Sequence, residues 1–225
     1  MIEYNFQKEW NLSFVERVIG IMKNPKSAMK SIAGQPLIED AVVIVGVYAV
    51  LSAISGLVMA DKITYVFEGR GDMPSSIESI ARVSSVVFPL IGAFIMWVVV
   101  TGILHLVSMA LGGEGKFYPQ MMTVVGFAMI PLIFGGIVSI ALISMIEPMT
   151  VTIPASNPWA AKDAIESSYL TASSVFGTLM QFWAAVIIFF GVKSAHSLTP
   201  GKSVVVAGIP VVIAIISLVW GSGIV

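Results

Sequence analysis

The chain has no cysteine, only two histidines and few charges. Charged residues make up 11% of its 225 positions, against about 25% in an average soluble domain. Without cysteine, disulfides, thiol nucleophiles and cysteine-ligated metal centres are all excluded. Two histidines far apart in sequence do not make a nucleophile–base–acid set, and no such constellation appears. Net charge is −1, which excludes a broadly basic nucleic-acid binder. Longer gaps in charge say more: near 41–60, 84–111, 122–146, 174–192 and 204–221 no Asp, Glu, Lys or Arg occurs.

What fills those gaps is apolar. Hydrophobic residues make up 57% of the chain and the mean hydropathy is +0.94. A soluble protein of this size has too little interior to hide that surface. Each run reaches the roughly 20 residues that cross a hydrocarbon core. In lipid, backbone groups must bond within their own segment, so the runs are read as helices and the fold as an all-α, five-span bundle. The runs do not alternate apolar with polar, which excludes a membrane barrel. The start, "MIEYNFQKEWNLSF", lacks the positive-then-apolar pattern of a cleaved signal, so the run from about 41 is expected to act as an uncleaved anchor.

Lysines and arginines orient the bundle. With the N-terminus inside, Lys8, Arg17, Lys23, Lys26, Lys30, Lys116, Lys193 and Lys202 lie inside; Lys62, Arg70, Arg82 and Lys162 lie outside. Eight against four predicts a cytoplasmic N-terminus and an outer C-terminus, in the cell membrane. Residues 1–40 are set apart from the membrane domain, 41–225, as an amphipathic helical region. Ser13 to Glu16 reads as a capping box, preceded by Trp10, with Phe14, Val18, Ile21 and Met22 on one side and Arg17 elsewhere. Asn24 and Pro25 restart a helix that Gly34 and Pro36 stop. Such helices suit the inner leaflet or the underside of the bundle. The outer segment 147–173 reads as irregular until Asn157-Pro158 starts a helix.

Within the second span, Thr101, His105, Ser108 and Gly112 fall at intervals of 4, 3 and 4, which places them on one helix face. An ionisable group at membrane depth is a functional candidate by default, although neutral His105 can also bond across helices to a hydroxyl, an amide or a carbonyl. The fourth span has a similar stripe through Ser174, Thr178 and Gln181. The third has Gly126, Pro131, Gly135, Gly136 and Ser139. Thr101, His105, Ser108 and Gln181 form a candidate interior polar site. Against it stands a plainer reading, in which small and hydroxyl residues form helix–helix seams. Metal and cofactor sites are not expected: His196 and Glu114 are the nearest further donors to His105, and they lack close ligand spacing. "TPGKS" at 199–203 is not a P-loop, because position 196 is histidine where the pattern needs glycine.

Several stretches in order carry a family resemblance: "KNPKSAMKSI" near the start, "LGGEGKFYPQMMTVVGFAMIP" and "GVKSAHSLTPGKSVVVAGIP". Together they resemble the Yip-domain family, five-span proteins with a cytosolic N-terminus, named for binding Ypt/Rab GTPases. The resemblance implies an inner-face motif at Gly112, Gly113, Phe117, Pro131, His196 and Lys202. The N-terminal region is short beside that of eukaryotic members, so the chain looks like a prokaryotic relative and the GTPase link is not carried over. The expected function is non-enzymatic: an adaptor or membrane-organising bundle, in contact with lipid and with another membrane protein at its inner face. The alternative is a small-solute or ion transporter using His105 and Gln181.

Overall fold

The computed structural model describes residues 13–69, 71–72, 75–154, 165 and 167–221. Trp10 and the expected helix start at Asn157-Pro158 lie outside these residues. The elements run α1 (Phe14–Lys23), α2 (Pro25–Gly34), α3 (Ile38–Ala60), β1 (Ile63–Phe67), β2 (Gly71–Asp72) and α4 (Ser75–Ala110). A π turn (Phe117–Met121), α5 (Met122–Ala128), α6 (Ile130–Ser144), β3 (Met149–Ile153), α7 (Ser168–Ala195) and α8 (Pro200–Gly221) complete the chain. Among the described residues, five helices are long and apolar enough to cross a membrane: α3, α4, the joined stretch Phe117–Ser144, α7 and α8. The fold is an all-α membrane helix bundle. At 1.5 Å per residue the 36 residues of α4 extend about 54 Å, well past a hydrocarbon core of about 30 Å.

Around the bundle, each span packs on the next in the order α4, α3, α6, α7, α8, and α8 returns to α4 over a short stretch only. Small residues set the close approaches. A Cβ on Gly126 would stand 2.6 Å from Ala41 Cβ, and one on Gly191 would run into Val124. Gly56 lies against the carbonyl of Ser85. Pro89, four residues later, has no N–H to give that carbonyl, so the proline and the glycine belong to one contact. Ser173 donates across the seam to Ser139 at 2.8 Å. The other hydroxyls behave differently from the cross-helix expectation: Ser52, Thr101, Ser108 and Thr178 each bond to a carbonyl four residues earlier in their own helix. That bond is available in every helix, whereas a cross-seam bond needs a partner at matching height.

The Ser13–Glu16 capping box forms in both directions, and Asn24 caps α2 through Ser27. Both helices pack beneath the bundle: Ile21, Met29 and Ile32 are fully buried in the same core as the spans. Arg17 corrects the amphipathic reading of α1. It is 2% exposed, donates to Gln35 O at 3.0 Å and lies 3.8 Å from Asp40 Oδ2. α1 folds back across the end of α2, so the guanidinium meets the C-terminal carbonyls of one helix, where a cation is favoured, and an acid in the first turn of α3.

At the opposite end the expected irregular loops contain strands. β1 pairs antiparallel with β2 and parallel with β3, from Ile63↔Met149 to Phe67↔Ile153. The run "MTVTI" ends before Pro154, so its prolines flank a strand and do not prevent one.

Candidate functional site: the histidine joint

The site is at the α1–α2 end, where α4 and α7 both stop. α4 ends in a Schellman motif, with Gly112 N–H bonded to Met109 O and Gly113 N–H to Ser108 O, each at 2.9 Å. The motif needs a left-handed residue just past the helix, and Gly112 supplies it with φ +85°. Lys202, from the start of α8, donates to the freed Leu111 carbonyl at 2.7 Å.

α7 stops at His196, whose own N–H still bonds to Val192 O. Its side chain turns into the loop after α4 and is 1% exposed. Gly113 and Gly115 make the room. A Cβ on Gly113 would stand 2.8 Å from His196 Cβ, and one on Gly115 would meet Ala195 O at 2.5 Å. The loop then grips the histidine: Gly115 N–H donates to Nδ1 at 3.1 Å, and Glu114 N–H reaches its carbonyl at 3.3 Å. On its other side, His196 Nε2 faces His105 Nδ1 at 3.3 Å.

These contacts assign the protons. Nδ1 of His196 accepts from a backbone amide, so in the neutral ring the hydrogen is on Nε2 and is donated to His105 Nδ1. His105 therefore carries its hydrogen on Nε2. Burial, and after it the neighbouring His105 ring, hold His196 at about 4, far below an ordinary imidazole. Both imidazole lone pairs are already accepting. The pair thus links the end of α4 to the end of α7. Phe117 closes the joint, with its ring 5.6 Å from that of His105 in an edge-on contact.

Of the residues singled out from sequence, the structure brings Gly112, Gly113, Phe117, His105, His196 and Lys202 into one cluster. Ser108 joins it through its carbonyl. Thr101 is buried higher in α4, bonded to Trp97 O. Pro131 is not at this end: it is buried at the break between α5 and α6, nine residues beyond Met122 and so about 13 Å along the span. Gln181 lies elsewhere too, on the wall of a cavity between the spans that His105 does not line.

A family model described as the Yip1 domain matches residues 19–221. The chain belongs to the Yip1 domain family. The match takes in the second half of α1, every later element and all the joint residues. An uncharacterized protein of the archaeon Methanocaldococcus jannaschii is 23% identical over 124 residues, covering 55% of this chain and 85% of its own length. It is consistent with a prokaryotic-type Yip1 protein. No solved structure matches.

Tyr118 shows what sequence reading missed at the joint. Phe117 is turned inward, while Tyr118 is 61% exposed. Phe–Tyr adjacency gives no sign of which ring faces out, because the π turn sets it.

Proposed function

We propose that this Yip1 protein is a non-enzymatic adaptor whose α1–α2 end, turned to the cytoplasm, holds another membrane protein against the bilayer surface. The first 40 residues act there as a region joined to the five-span domain, with α1 and α2 as its described helices. The observation that carries the reading is the surface of that end. Phe14, Val15, Ile19 and Met22 form an exposed apolar stripe on α1, with Leu37 and Tyr118 also exposed. The helices and loops of this end carry Lys23, Lys26, Lys30, Lys116 and Lys202, against Glu16, Glu39 and Glu114. An exposed apolar patch rimmed by charge marks an interaction surface, and the basic rim favours the inner leaflet. Arg17 and the histidine joint lock this surface to the spans, so a partner bound here is bound to a rigid platform.

Transport through one interior site at His105 and Gln181 has less support, because those residues belong to separate places in the bundle. The test is a photo-crosslinking residue at Tyr118, with Ile19 as a second position, in native membranes. A discrete protein adduct from Tyr118 is the expected result. Capture of lipid alone from both positions would remove the partner from the reading and leave a membrane-organising role.

A further inference from the structure

The cavity between the spans carries a second inference, independent of the cytoplasmic end. It measures about 510 Å³ and is bounded by all five spans, a size typical of ligand pockets. Its walls are apolar, among them Trp97, Leu104, Met129 and Ile188. Met96 and Ile103 on α4 and Ile213 on α8 line it while remaining 56%, 40% and 51% exposed. The cavity therefore opens sideways, at the thin seam between α4 and α8, onto the surface that faces lipid. Pro89 and Pro210, one on each of these helices, also line it, and each interrupts the hydrogen bonding of its helix at the level of the cavity.

Two half-buried polar side chains line the cavity without a hydrogen bond to the protein. Among the described residues, neither the Gln181 amide nor the Tyr48 hydroxyl makes a hydrogen bond, although both line the cavity. Ser52 beside them is satisfied by Tyr48 O. Unpaired polar groups at membrane depth are costly, and apolar walls do not hold water. The space suits a hydrocarbon chain that brings oxygen acceptors with it.

We propose that this cleft takes one fatty-acyl chain of an uncharged glycerolipid such as a diacylglycerol, drawn in between α4 and α8, its ester oxygens accepting from Gln181 and Tyr48. With no charged headgroup to hold at the surface, such a lipid can bring its ester to the mid-span depth of Gln181 and Tyr48. No bond is made or broken, and the site is one of retention.

Trp97 reports on the cavity from its own wall. The full chain, with its other tryptophans replaced by phenylalanine, is placed in phosphatidylcholine vesicles containing a diacylglycerol brominated at mid-chain, and Trp97 emission is compared with that in vesicles containing the unbrominated diacylglycerol. Bromine quenches only at close range, and Trp97 is 5% exposed, so strong quenching reports a chain inside the cleft. Gly92 lines the cavity, and a Cβ there meets nothing within 4 Å, so Gly92→Phe starts from open space and occupies part of the cleft. Ala214→Leu fills it from α8. Quenching in the parent that falls in either folded variant is the expected result. Quenching that is absent, or unchanged in both, overturns the proposal. Gln181→Leu tests the oxygen contact: loss of one hydrogen bond weakens retention roughly fivefold, read by competing the brominated lipid against unbrominated lipid. An unchanged competition curve removes Gln181 from the site.

Discussion

Acid should loosen the joint between α4 and α7, and His196 sets how far. Its imidazole sits at about 4 in the folded chain, against 6.5 ordinarily. A histidine whose folded value is depressed gives its full stabilisation above the unfolded value. That contribution fades as pH falls below 6.5 and is gone near 4, because over this window only the unfolded chain takes up the proton. At about 1.4 kcal/mol per unit, the loss is about 2 kcal/mol near pH 5 and about 3 kcal/mol near pH 4. The assay compares unfolding of the full chain in detergent with that of His196→Asn. The asparagine amide can still accept from Gly115 N–H, but it does not titrate. Near pH 7 the variant is less stable by about 1 kcal/mol for the lost bond to His105. Near pH 5 the order reverses. His105 is the titratable ring facing His196, and Lys202, Glu114 and Lys116 lie around the joint in both proteins. Two stability curves that stay parallel from neutral to acid pH would refute the reasoning.

Gly113→Ala drives a methyl group into His196 and the Ser108 carbonyl and should cost about 1–3 kcal/mol. Gly102→Ala, in the same helix with open space around it, should be neutral or slightly stabilising, and thermal unfolding separates the two. Arg17→Ala strands the Asp40 carboxylate and should cost about 3 kcal/mol. Adding Asp40→Asn should recover part of that loss, and limited proteolysis of α1 should follow the same order. Gly56→Ala places a methyl group on the Ser85 carbonyl and should destabilise by about 2 kcal/mol. If its unfolding matches the parent's, the close α3–α4 approach is not a constraint.

The spans were legible because each is a run without charge, and lipid admits only one backbone solution there. Where a span ends near its charges the bounds moved little, as 41–60 became Ile38–Ala60, but 84–111 became Ser75–Ala110 and 174–192 became Ser168–Ala195, because the helices run on past the uncharged stretch. Helix caps were legible as well, since Ser13, Asn24 and the glycines after α4 act on their own neighbours. What could not be read are the contacts made at long range. β1 and β3 pair across 86 positions, from Ile63 to Met149, and neither five-residue strand stands out beside a 20-residue span. The histidine pair closes across 91 positions. A tally of His105 and His196 as lone residues cannot reveal that each completes the other. Arg17 misled for a different reason: a charge on a short amphipathic helix usually marks the wet face, and only the fold-back of α1 puts it inside.

The order in which the spans follow one another has a mechanical consequence. Four of the five neighbour contacts are broad, and the fifth, between α8 and α4, is narrow. The His196 joint ties α4 to α7 at one end, and the β1–β3 pairing ties the connection after α3 to the one after α6 at the other. A ring built this way responds to sideways pressure as a split collar does: its girth changes at the gap while the rest of the circumference keeps its shape. Crowding or thinning of the surrounding lipid would thus be felt first at one line on the protein's perimeter, where α8 faces α4.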